Sequence, residues 1–237
     1  MTARKWLGTP EERGPLILLG ILLLGDLAMV VLYFANELAP VQNPMFDIEK
    51  DGGYAERFQY VKLFSIVVLL IWIAWKNRAV HYVAWALAFT YLLFDDSMQL
   101  HERVGRRIAE SLALSPALGL RARDFGELLV TAAAGFFLAA VLLWAYRTGS
   151  RSFKKVSQDI ILLILLLVFF GVVVDMAHVA FDLGWQVTFV LGIVEDGGEM
   201  LAVSLILSYV YLTKVRGEDA RWYLSDSIRG VITRRFA

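Results

Sequence analysis

Long apolar runs broken by short polar connections dominate this chain. Six of them, near residues 15–35, 58–76, 80–100, 125–146, 158–181 and 187–213, are long enough to cross hydrocarbon as helices of about 20 residues. The pattern predicts an all-α polytopic membrane protein, a single six-helix transmembrane domain in which the helices form a bundle. Pro15 suits the first turn of the first helix, where its missing N–H is not needed. That first run is too long for a signal-peptide core and contains Asp26, so a retained anchor is expected.

Two weaker periodicities lie outside the runs. Val104, Ile108 and Leu112 recur at helical spacing, with Arg103, Arg106, Arg107 and Glu110 off the stripe. This predicts a short helix lying in the outer interface, closed by Pro116 and Gly119. In the tail, residues 214–237, Leu224, Ile228 and Val231 form a second stripe, begun by Trp222 and Tyr223 and flanked by Arg229, Arg234 and Arg235. A cytoplasmic amphipathic helix on the membrane surface is expected there. The first loop, residues 36–57, is acidic and carries Pro40, Pro44 and Gly52-Gly53. It reads as a solvated loop or, more sharply, as a vestibule that attracts cations.

Composition agrees with the pattern. Hydrophobic residues make up 58% of the chain and charged ones 19%, with a mean hydropathy of +0.60, where a soluble domain carries about a quarter charged residues. The net charge is zero, so no basic footprint calls for nucleic acid. The absence of cysteine excludes disulfides, thiolate nucleophiles and Cys-ligated metal. Lys and Arg number fifteen in the connections on the side of the termini and seven on the other. The positive-inside rule then places both termini in the cytoplasm of a multi-pass cell-membrane protein, with the five arginines of residues 101–124 running against it.

Chemistry enters where the apolar runs are interrupted. Residues 91–102, YLLFDDSMQLHE, bring Asp95, Asp96, Gln99, His101 and Glu102 to the end of the third run. Later stretches add Asp175, His178 and Asp182, then Glu195, Asp196 and Glu199, while Glu127 opens the fourth run. Each such group costs several kcal/mol in hydrocarbon unless paired or ligated. At 1.5 Å per residue, all of them fall in the outer half of the bundle or at its rim, on four helices. On straight helices Asp95, Gln99 and Glu102 share a face, as do Asp175, His178 and Asp182, whereas His101 and Asp96 fall to either side of the Asp95 face. Asp26 stands apart near mid-depth, as a packing contact or a ligand.

Two histidines and at least five carboxylates at one level favour a metal centre acting on a lipid-soluble or small substrate. Asp95, His101, Glu102, Glu127, Asp175, His178, Glu195 and Glu199 are the expected ligands of divalent iron, manganese or zinc. The inventory resembles that of ferritin-like di-iron and di-manganese bundles. Asp175-Met-Ala-His178 has their carboxylate-x-x-His spacing, but His101 follows Asp95 by six. A metal would make a hydrolase or an oxidase possible. The alternatives are a proton- or cation-coupled transporter or channel using the same acids, and an internal network in which the acids are protonated or paired with Lys62 and the outer arginines. No haem attachment site and no nucleotide loop is present. The expected partners are the lipid bilayer and a small molecule or ion, with a membrane-protein partner or a second copy also open.

Overall fold

The computed structural model describes residues 10–117, 120–180 and 185–216, and side chains there from Arg13 onward except at 178–180, 185–186 and 188. The helices are α1 (Pro10–Glu37), α2 (Tyr54–Lys76), α3 (Tyr82–Met98), α4 (Leu100–Ser111), α5 (Ala122–Thr148), α6 (Arg151–Val168), α7 (Asp175–Ala180) and α8 (Trp185–Arg216). A 3-10 turn, Pro44–Phe46, lies in the first loop, and a π-helical turn, Phe169–Val174, joins α6 to α7. No strand occurs among the described residues.

Local chemistry sets the boundaries. Ser150 caps α6 by accepting the Phe153 N–H at 3.1 Å, one of the donors a helix start leaves open. At the start of α5 the Asp124 carboxylate takes the Arg121 N–H at 2.8 Å. Asn43 caps the 3-10 turn by accepting from Met45 at 3.0 Å. Between α3 and α4, Gln99 adopts a left-handed conformation, φ 50°, its N–H closing α3 on the Asp95 and Asp96 carbonyls, and it redirects the chain within one residue.

α8 is the central helix, packed on α1, α2 and α6, with α3 on α2 and α5, and α4 on α5. Its Met200, Ala202, Val203, Ile206 and Val210 are all fully buried. Val203, Ile206 and Val210 join Ile66, Leu70 and Ile73 of α2, Trp85 and Phe89 of α3, and Phe153 and Ile160 of α6 in one core. α5 is the opposite case: Phe136 is 80% and Trp144 66% exposed, a surface suited to lipid rather than water. Lipid is as apolar as the core, so close packing and polar contacts hold such a bundle together. One such contact is the Trp85 indole donating to Ser157 at 2.9 Å; another is the Tyr209 hydroxyl donating to Asp159 at 2.7 Å.

Four stretches are long and apolar enough to cross a membrane: Arg13–Glu37, Tyr54–Lys76, Ala122–Thr148 and Arg151–Ala177. The six spans expected from the sequence are thus met at four. α3 has only 17 residues, and α8 carries Glu195, Asp196 and Glu199 in its first half. The short helix expected between the third and fourth runs is present as α4. It begins at Leu100 and packs on α5 through Gly105 and Ala109, which leaves Val104 and Leu112 exposed. The first loop is shorter than expected, because α2 begins at Tyr54. It also folds back: Ile48 is buried with Tyr33, Ala55 and Met200. The helix expected in the tail lies outside the described residues.

Candidate functional site

Ionisable groups gather toward the end of the bundle that bears α4, in two sets, with a third deeper in. The first set is built on the break at Gln99. A straight helix would send His101 away from Asp95; the left-handed residue turns it back. The His101 backbone N–H donates to Asp95 Oδ1 at 2.9 Å, and His101 Nδ1 lies 3.1 Å from Asp95 Oδ2. This corrects the expectation that the two fall on different faces. Glu102 and Glu127 act on the same imidazole through space. The hydrogen-bonded Asp95 carboxylate raises His101 above the usual histidine range, against partial burial that pulls it down. Gln99 is itself held to the first loop, its amide donating to Asp51 at 2.7 Å.

The second set surrounds Glu199. Gln59 of α2 donates to its carboxylate at 3.5 Å, and the charges that weigh most on it are the carboxylates of Asp96, Glu195, Asp175 and Glu56. The π-helical turn faces it. A Cβ on Gly171 would collide with the Glu199 carboxylate, and one on Gly198 with the Phe170 ring. The wide turn therefore lets an acidic side chain lie directly on backbone. π-helical turns recur at functional sites. Gln59 is buried, and its amide oxygen has no hydrogen-bond donor among the described residues. Asp196, one residue along from Glu195, feels the charges of Glu199 and Glu195 and, from the first loop, those of Glu49 and Asp47.

The third set lies one turn deeper. Lys62 donates to Asp26 Oδ1 at 2.9 Å, to the Met200 carbonyl at 3.0 Å and to Ser204 Oγ at 3.2 Å. Ser204 donates to the other Asp26 oxygen at 2.6 Å. All three ammonium protons thus have acceptors, and Asp26 is a packing contact that ties α1, α2 and α8 together.

Among the described residues no three of His, Asp and Glu form a metal-holding group: Asp95 is hydrogen-bonded to His101, and Glu199 lies against the π turn. Asp182 and the His178 side chain lie outside the described residues. Gln59, absent from the sequence candidates, sits one turn from Glu56 and one turn from Lys62 on α2, and that three-residue spacing was the signal that could have found it.

The chain matches no curated protein and no solved structure. Residues 16–213 match the family model described as a domain of unknown function, DUF8692. That match takes in every described group of the three sets, and the chain belongs to this family.

Proposed function

We propose that the protein is a proton-handling membrane carrier or channel, with α3 and α8 completing a six-helix bundle and both termini in the cytoplasm. In this reading the acids around Glu199 exchange protons with the outer aqueous phase. The Lys62–Asp26–Ser204 set closes the way toward the inner half. The observation that carries it is Glu199 itself: a carboxylate set on a π turn inside the bundle, whose strongest charged neighbours are four more carboxylates. Like charges in a poorly screened setting repel strongly, and a shared proton or small cation relieves that repulsion. The orphaned Gln59 oxygen agrees, because a carboxylic acid at Glu199 is a donor and an amide rotated by half a turn presents its oxygen to it.

Reconstitution into liposomes with a luminal pH dye and an imposed potassium diffusion potential tests this. Wild-type protein should acidify the lumen well above protein-free liposomes. Glu199→Gln should lower that rate roughly tenfold or more, within the range general acid–base groups contribute. Glu110→Gln, on the exposed face of α4, should not change it. Lack of proton movement in wild type, or an unchanged rate in Glu199→Gln, overturns the reading. Elemental analysis of the same preparation separates it from a metal centre. Stoichiometric iron, manganese or zinc that disappears in Glu199→Gln and Asp175→Ala would move the assignment to metal.

A further inference from the structure

Away from the acids, the opposite half of the bundle carries a seam between α1, α2 and α8 that differs in character along its length. Its deeper part is a groove of about 290 Å³ lined by Leu18, Phe64, Ser65, Val68, Leu69 and Leu207. Ser65, the one polar residue there, donates to the Val61 carbonyl of its own helix at 2.7 Å, so the lining is effectively apolar. Beyond it the seam turns cationic. The ammonium of Lys76 lies 4.6 Å and that of Lys214 4.8 Å from the centre of the Trp72 ring, and Lys214 also lies 5.4 Å from that of Tyr211.

The two parts are continuous. Ser65, Leu69, Trp72 and Lys76 recur at three- and four-residue spacing along one face of α2, and Leu207, Tyr211 and Lys214 do the same on α8. About 10 Å of helix rise separates the Leu69 and Leu207 level from the two lysines. Among the described residues neither ammonium forms a salt bridge with a carboxylate. An apolar slot that leads to an aromatic ring with two cations against it matches a molecule with a hydrocarbon chain and an anionic head.

We propose that this seam binds an anionic phospholipid, with one acyl chain in the groove and its phosphate at Lys76 and Lys214. It holds the lipid in the leaflet at the α2–α3 turn, and it stands independently of the proton-handling reading. The Trp72 ring keeps both ammoniums at this end of the seam, where they attract an anionic head.

Native mass spectrometry of protein released from nanodiscs reads this directly. Wild type should retain phosphatidylglycerol in preference to phosphatidylcholine. The double variant Lys76→Gln/Lys214→Gln should lose that preference, by roughly 30-fold for two membrane-surface cations. Val68→Trp, at an exposed position lining the groove, should reduce retention of both lipids. Millimolar inorganic phosphate should not displace the lipid. Circular dichroism and elution volume confirm that each variant is folded. Equal retention of the two lipids by wild type overturns the proposal. So does a preference that survives loss of both lysines, an inert Val68→Trp, or displacement by inorganic phosphate alone.

Discussion

Lys62 and Asp26 meet at 2.9 Å in the interior of the bundle, where the lysine side chain is 1% exposed. A buried pair of this kind is seldom a net source of stability, yet breaking it from one side strands a charge without a partner. Asp26→Asn or Lys62→Met alone should therefore cost about 3–5 kcal/mol, whereas Asp26→Leu/Lys62→Met should recover most of that. Thermal and denaturant unfolding in detergent measure the three variants. A double variant as unstable as the sum of the singles would show that the pair contributes more than the mere avoidance of an unpaired charge.

The Asp95–His101 contact makes stability depend on pH with a fixed sign. The folded histidine holds its proton more tightly than the unfolded one, so folding is favoured by the charged form. That contribution is complete below about pH 6.5, the unfolded value, and is lost as pH rises through the higher folded value. Melting temperature should fall across that window in wild type. The slope should vanish in His101→Gln and in Asp95→Asn. Asp95→Asn also weakens the acceptor of the His101 N–H, a loss of about 1–3 kcal/mol. A slope of the same size in His101→Gln would assign the titration to another group.

Gly171 and Glu199 occupy one space, and their substitutions should not be additive. Gly171→Ala forces the carboxylate to move and should cost about 1–3 kcal/mol, the usual range for overpacking. In a Glu199→Ala background the same substitution should cost little, because the obstructing side chain is gone. A double-mutant cycle on unfolding free energies gives the coupling. Additivity would mean that the two groups do not touch.

The cysteine-free sequence makes the arrangement in the membrane easy to probe, since one introduced cysteine is labelled without background. Gln42→Cys, in the first loop, should react with a membrane-impermeant maleimide on intact cells. Asn77→Cys, in the α2–α3 turn, should react only after permeabilisation. Labelling of both from one side would break the antiparallel path of α2, and the reverse pattern would invert the orientation derived from Lys and Arg.

The helices were legible because hydrocarbon imposes length and apolarity together, and both can be read from composition along the chain. The level of the acids was legible for the same reason, from helix rise alone. Partnerships were not. Asp95 and His101 stand six apart, a spacing that no straight helix brings together, and only the left-handed Gln99 does so. Asp26 lies far in sequence from both Lys62 and Ser204, so nothing local announces their contact. α8 runs unbroken through Gly197-Gly198, and Gly198 admits the Phe170 ring of the π turn, a contact between residues distant in sequence. Spacing within a helix is local information, whereas register between helices depends on the whole packed core.

The π-helical turn at Phe169–Val174 also acts as a phase marker. A wide turn holds one residue more than an α turn, so it is equivalent to an insertion that the span has absorbed without losing its axis. Removing one residue from that segment and letting it relax to α geometry would rotate everything after it by about 100°. Asp175 would then swing off the side of the bundle that it shares with Glu199, even though no acidic residue had been touched. The count of residues in this segment thus matters alongside the identity of Gly171: one aliphatic side chain can stand in for another at the valines, but no residue can be spared.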